Sequence, residues 1–264
     1  FGLVGDTGYS SSSVEKFLRV RDAMNAASLE FVGHVGDIKS GNDPCPDSVY
    51  TVNLERFNDF DHPLVYTPGD NEWRDCSDKR DRLAFLREVF YPDDLSLGDR
   101  SLPLVRQSAD FPENVVWHHG PVTFVTLHNV GSDNNARSSE FGPRNEANLA
   151  WMDAAFDAAR ARNSAAVVIM SHANPGFPPD AESRASKDGF EPHMEALRAH
   201  VQEWGRPVLY VHGDTHTYRV DHPTVLGTSL PNLTRVEVYG PSDENWVRVD
   251  YDPTDPELFR VSSR

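Results

Sequence analysis

Aspartate and histidine recur in this chain at one kind of place, just beyond short apolar runs. FVGHVGDIK carries Asp37, and FGLVGD ends on Asp6. PLVYTPGDNE runs into Asp70, Asn71 and Glu72; AVVIMSH ends on His172; VLYVHGDTH ends on Asp214 and His216. Apolar runs of this length bounded by turn residues read as buried strands, and a glycine before the acid lets the backbone turn sharply as the strand ends. A side chain at the C-terminal end of such a strand faces the crevice where open α/β sheets hold their ligands. Hard oxygen donors plus imidazole, converging from several strands, suit one or two divalent metal ions.

The elements that must bring these residues together alternate. Phe1–Val4 reads as a strand, the apolar spacing of Val14, Phe17, Leu18 and Met24 as a helix reaching Ala27, and Leu29–Val35 as a second strand. Strand–helix–strand normally makes a parallel, right-handed crossover. Ser12 or Ser13 is the expected cap of that helix. A helix over Val49–Phe60, a strand at Pro63–Thr67 and a helix over Lys79–Phe90 follow, then a surface excursion from Pro92 to Pro112. Val115–Trp117 and Val122–Leu127 are expected to pair across a turn at His118–Pro121. Gly131–Arg144 reads as a polar loop at the crevice, and Glu146–Arg162 as a helix. Next come a strand at Ala165–Met170, a Pro-rich loop over Ala173–Lys187 that could act as a flap, a helix at Pro192–Trp204 and a strand at Pro207–Val211. Beyond His216 the pattern is strand-like, at Val225–Gly227, Leu233–Tyr239, Trp246–Tyr251 and Leu258–Val261, and is expected to complete the second sheet as an antiparallel set.

Composition narrows the function. At 264 residues the chain fits one large α/β domain, 1–264, with no linker in view. Hydrophobic content of 38% is ordinary for a globular protein, and no apolar run reaches the ~18 residues a membrane span needs. The net charge of -16 disfavours nucleic acid and anionic membranes as partners. It leaves a small phosphoester open, because bound cations reverse the local field. Cys45 and Cys76 lie in loops after neighbouring strands, so a disulfide between them is the expectation and two separate buried thiols the alternative. The sequence opens on a strand without Met, which implies a removed leader or a cloning boundary; with a disulfide, a periplasmic or secreted location is expected.

Taken in order, GDTG (Gly5–Gly8), GDIKSG (Gly36–Gly41), PGDNE (Pro68–Glu72), SHANP (Ser171–Pro175) and HGDTH (His212–His216) resemble the motif series of the calcineurin-like metallophosphoesterase superfamily. The resemblance runs from Phe1 to about Tyr218. It implies a four-layer αββα sandwich of two mixed sheets with metals at the strand ends. It also implies ligand roles for Asp6, Asp37, Asp70, His172, Asp214 and His216, with Asp37 shared. One ion would take Asp37, Asp70, His172 and Asp214; the other would take Asp37, Asp6 and His216.

The departures from that series matter too. Gly8 stands where the family has a His, Asn71 where it has the His that donates to the phosphate or leaving group, and Asp214 where it has the first His of its last motif. Purple acid phosphatases share the Asp-x-Gly and recover a ligand from a Tyr three residues after the bridging Asp; Ser40 holds that place here. One metal position therefore reads as short of ligands. With Asn71 in the His place, His34, Lys39 and His212 become the candidate proton donors or phosphate contacts, and Glu72 a support for a ligand. For His34 and His212 a core role is the favoured alternative; for Lys39 a solvated loop is an equal one. Asn129, Asn134, Asn135 and Arg144 read mainly as a solvated loop that could reach substrate.

The function implied is metal-dependent phosphoester hydrolysis of a small or medium-sized substrate at a mono- or dinuclear site holding Mn, Fe, Zn or Mg. Two alternatives stay open: a non-catalytic metal-binding relative of the fold, and a metallohydrolase acting on another bond.

Overall fold

The computed structural model describes residues 1–178 and 188–264. Part of the expected flap at Ala173–Lys187, residues 179–187, lies outside the described residues. The architecture follows from which strands are apolar on both faces. Strands β1 (Gly2–Val4), β2 (Val32–His34) and β3 (Leu64–Tyr66) run parallel, joined through helices α1 (Ser11–Asn25) and α2 (Asp47–Asn58). Helix α3 (Lys79–Phe90) follows. The next strands are β4 (Val105–Arg106), β5 (Val115–His119), β6 (Val122–Leu127) and β7 (Ala166–Ser171), with α4 (Phe141–Ala161) between the last two. Helix α5 (Glu191–Trp204) leads into β8 (Val208–His212).

Short strands β9 (Arg219–Asp221), β10 (Thr224–Val225) and β11 (Thr228–Ser229) precede β12 (Leu233–Glu237), β13 (Val247–Tyr251) and β14 (Phe259–Ser263). Two large mixed sheets result, in the orders β14-β13-β1-β2-β3 and β4-β5-β6-β7-β8-β12-β9.

Side-chain alternation shows the layering. Ala166, Val168 and Met170 of β7 meet Leu3, Val65 and Val249 between the sheets, whereas Val167 and Ile169 face Met152, Phe156 and Leu197 of α4 and α5. On the far side, Val4, Val32, Leu64 and Tyr66 pack against Phe17, Phe57 and Phe90 of α1, α2 and α3. The order of layers is therefore helix, sheet, sheet, helix, as expected for strands buried on both faces.

Three expectations change. The C-terminal strands do not all complete the second sheet: β13 pairs antiparallel with β1, and β14 with β13, so both close the first sheet. Only β12 and β9 extend the second, and β12 runs parallel to β8. Helix α1 is capped by Ser10, whose side chain accepts from the Ser13 N–H at 3.2 Å, rather than by Ser12 or Ser13. The Gly131–Arg144 stretch is not a solvated loop. Ser132, Asp133, Asn134 and Asn135 all take left-handed φ angles, from 51° to 59°, in a single left-handed turn, and α4 already begins at Phe141. Buried Arg144 holds that turn, donating to the His128 carbonyl, to the Asn134 side-chain oxygen and to the Asn134 carbonyl at 2.7–2.8 Å. Asn129 and Asn134 are fully buried with it, so these polar groups are spent on the scaffold.

Candidate metal centre

Parallel pairing brings the C-terminal ends of β1, β2 and β3 side by side, and those of β7 and β8 opposite them. Asp6, Asp37, Asp70, His172, Asp214 and His216 sit in the first residues beyond these ends. Adjacent loops are tied together: the Asp6 N–H donates to the Gly36 carbonyl at 2.9 Å, Thr7 N–H to the Asp37 carbonyl at 2.7 Å, and Gly213 N–H to the His172 carbonyl at 2.9 Å. Asp6, Asp37, Asp214 and His216 all take positive φ, at 52°, 57°, 72° and 59°. A non-glycine residue there costs on the order of 1–3 kcal/mol, strain that concentrates at functional positions. Gly36, at φ 92°, has no such cost, and a Cβ there would lie 2.8 Å from the His172 ring.

Among the described residues, ligand atoms of Asp6, Asp37 and His216 lie within 4.8 Å of one another, and so do those of Asp37, Asp70 and His172. Asp37 belongs to both groups. Asp214 stands at the edge, its carboxylate 3.9 Å from His172 Nε2 and its backbone N–H 3.2 Å from both Asp6 oxygens.

His172 carries the strongest sign of a cation site. Its Nδ1 lies 2.7 Å from the Val35 carbonyl, which can only accept, so Nδ1 bears the proton. Nε2 then faces Asp70 at 3.2 Å and Asp37 at 3.4 Å. It is fully buried and, among the described residues, has no hydrogen-bond partner, an arrangement that needs explaining. A divalent ion between nitrogen and carboxylates satisfies all of them, so the residues present fit the group.

The electrostatics agree. Burial alone would lower the His172 pKa, but Asp37, Asp70 and Asp214 outweigh it and hold it well above the ordinary value. In the metal-free protein that negative charge favours a proton on Nε2, the place a metal cation would take. Burial pushes Asp37 up well above the carboxylate range; His172 opposes this, while Asp70, Glu72 and Asp6 add to it. Asp70 is held below its usual value because His172 and the Gly131 N–H outweigh burial. At the more open end, the Asp6 contact raises His216.

Around the donors, neutral groups fix the carboxylates. Asn71 Nδ2 donates to Asp37 Oδ2 at 2.5 Å and to the Lys39 carbonyl at 3.0 Å, and its backbone N–H donates to Asp37 Oδ1 at 3.1 Å. It thus clamps Asp37 from two sides. Glu72 supports the loops, as its Oε1 accepts from the N–H groups of Asp37 and Gly69 and from the Tyr66 hydroxyl.

The three proton-donor candidates are not brought to the cluster as donors. His34 Nδ1 accepts from the Gly36 N–H, which leaves Nε2 to donate to Thr7 Oγ1 at 3.1 Å. Burial pushes its pKa down to about 3, so it is a neutral brace between the Asp6 and Asp37 loops. His212 is likewise buried, with Nδ1 on the Gly213 carbonyl and a pKa pushed down to about 3 by burial. Lys39 is buried, not a solvated loop lysine, and its amine donates to the Ser40 carbonyl at 2.6 Å.

The residue that sequence reasoning missed is Tyr9. Its hydroxyl lies 2.5 Å from Asp37 Oδ2, 3.2 Å from His216 Nε2 and 3.4 Å from Asp6 Oδ1, and it accepts from Asn71 Nδ2 at 2.9 Å. Burial, then Asp37 and Asp6, raise its pKa. Its position three residues past Asp6, in DTGY, is the available signal. The motif series directs attention to the loop after Asp37 instead, where Ser40 stands.

Two face-to-face mixed sheets with outer helices and acid–imidazole clusters at the strand ends define a metallophosphoesterase-like α/β sandwich. The crystal structure of TT1561 from Thermus thermophilus is similar to this chain, with a TM-score of 0.53 over 99% of this chain and 96% of that one, at 11% identity. At that identity the likeness concerns the fold alone. No family model and no curated protein sequence matches the chain.

Proposed function

We propose that the chain, one domain over residues 1–264, is a divergent calcineurin-like metallophosphoesterase that hydrolyses small or medium-sized phosphoesters with one or two divalent ions. The observation that carries this is the pair of donor clusters sharing Asp37 at the strand ends, with His172 Nε2 facing carboxylates. When bound, such an ion lowers the pKa of a coordinated water toward ~7 and neutralises phosphoryl oxygens.

The chain's own residues do the rest. Asp6, Asp37, Asp70, His172 and His216 would hold the ions, with Asp214 at the edge. Asn71 and Glu72 orient Asp37 through hydrogen bonds to its carboxylate and its N–H. His34 keeps the two aspartate loops in register from beneath. The acidic surface supports a small substrate over nucleic acid, since approach to a polyanion is repulsive at long range. The Cys45–Cys76 bond supports a secreted or periplasmic location.

Elemental analysis of protein purified without chelator, followed by a screen of phosphomonoesters and diesters, tests the reading. Stoichiometric Mn, Fe, Zn or Mg together with turnover is expected. A non-catalytic, metal-holding role is the second reading, favoured by Gly8, Asn71 and Asp214 in the places of motif histidines. Metal-loaded protein inert across the phosphoester panel would select it, and turnover of amides or anhydrides alone would select a different hydrolase.

A further inference from the structure

We propose that the Tyr9 hydroxyl is a protein ligand to the ion held by Asp6, Asp37 and His216. The inference rests on the metal-centre reading above and deepens it.

Spacing is the first argument. Donors bound to one ion at about 2.0–2.2 Å stand about 2.9–3.6 Å apart along the edges of the coordination polyhedron. His216 Nε2 and Asp6 Oδ1 are 3.3 Å apart. The Tyr9 oxygen is 3.2 Å from the first and 3.4 Å from the second. It is closer still to Asp37, at 2.5 Å, where the phenol donates its proton to the carboxylate. Hence one oxygen touches every member of the cluster. A hydroxyl serving only to tie two loops together needs a single acceptor.

Placement is the second argument, because Tyr9 is held at both ends. Its backbone N–H donates to Ser13 Oγ at 3.2 Å, while Ser10 Oγ accepts from the Ser13 N–H at 3.2 Å. These two bonds to Ser13 fix the residue at the start of α1. At the other end its ring packs edge-on against His216, 5.4 Å between centroids. Asn71 Nδ2 donates to the hydroxyl oxygen and orients it. On coordination the phenolic O–H bond breaks, the proton leaves to solvent, and an oxygen–metal bond forms; no redox change is involved.

Tyr9→Phe removes the oxygen and keeps the ring. Metal-free wild type, Tyr9→Phe and a control, Tyr239→Phe, are titrated with Co²⁺ by calorimetry and by visible absorption, which reports the ligand set. Tyr239 is a suitable control because its hydroxyl bonds Ser263 instead. Wild type and control are expected to bind two ions with the same spectrum. Tyr9→Phe should keep the ion at Asp37, Asp70 and His172, which also shows that it is folded. It should bind the other at least ~10-fold more weakly, the scale on which lost supporting groups act, with a changed Co²⁺ spectrum. Equal affinities and spectra for both ions in wild type and Tyr9→Phe overturn the inference, as does a wild type that binds a single ion insensitive to Tyr9. A wild type that binds no Co²⁺ overturns the metal-centre reading itself.

Discussion

Asp37 is expensive to ionise where it stands. Burial and the neighbouring Asp70, Glu72 and Asp6 raise its pKa far above the usual carboxylate value. A buried carboxylate in that position destabilises the metal-free protein at neutral pH and becomes favourable once a cation is bound. Asp37→Asn therefore has two opposite expected effects. Metal-free Asp37→Asn should melt at or above the wild-type temperature, because a repulsive charge is gone. The stabilisation that saturating metal gives the wild type, about 2.7 kcal/mol at a hundredfold excess over Kd, should vanish along with hydrolysis. Paired thermal melts with and without Mn²⁺ check both, and a variant stabilised by Mn²⁺ as strongly as wild type would remove Asp37 from the site. The roles of single residues were unevenly legible. Asp after Gly at a strand end marks the cluster, since few residue types turn the chain there and also bind cations. The sequence does not show that Asn71 is turned inward onto Asp37, or that Tyr9 reaches the cluster from a different loop, because both depend on how loops from separate strands meet.

At the scale of elements, strand runs were easy to read because strands buried on both faces are continuously apolar, as in β7 and β8. Partner choice was not. Strands β13 and β14 carry the same pattern as β12, and their joining of the first sheet depends on the long-range β1–β13 pairing. The polar stretch after β6 misled for a related reason: Arg144 and its asparagines look solvated in sequence yet form an internally satisfied network. A second such network supports the junction of α3 with β5 and β6. Buried Glu113 accepts from Nη2 and Nε of Arg87, at 2.6 and 3.0 Å, and from His128 Nδ1 at 2.7 Å, while Trp73 Nε1 donates to His128 Nε2 and keeps that ring neutral. Burial opposes the Glu113 charge, but these donors outweigh it and hold its pKa at about 2, below its ordinary 4.5. A depressed carboxylate contributes stability that is present above the unfolded-state value and lost as pH falls through the folded one. Glu113→Gln should accordingly cost most above pH 4.5, up to about 3 kcal/mol, and progressively less toward pH 2. Denaturant midpoints of both proteins across that range give the test; a pH-independent difference would show that the carboxylate charge is not what matters.

For the whole molecule, the Cys45–Cys76 bond links stability to the candidate site. It closes a separation of 31 residues between the segment leading into α2 and the segment leading into α3. That enclosed stretch contains β3, Asp70, Asn71 and Glu72, and Cys76 Sγ lies 3.8 Å from the Asn71 carbonyl. A hollow of about 450 Å³, lined by Gly41, Asp43, Cys45, Asp75 and Arg82 among others, adjoins Asn71 through Gly41. The chain-entropy estimate for a loop of this size is about 3–4 kcal/mol, which for a domain of this length corresponds to a melting temperature roughly 5–15 °C lower on reduction. The site should respond as well, because the loop that clamps Asp37 is anchored at this bond. Reduced protein is expected to titrate two thiols and to bind Mn²⁺ more weakly before it unfolds. Equal melting temperatures with and without reductant, once both thiols are shown to be free, would mean that the core around Tyr50, Phe57 and Trp73 holds this region without the covalent link.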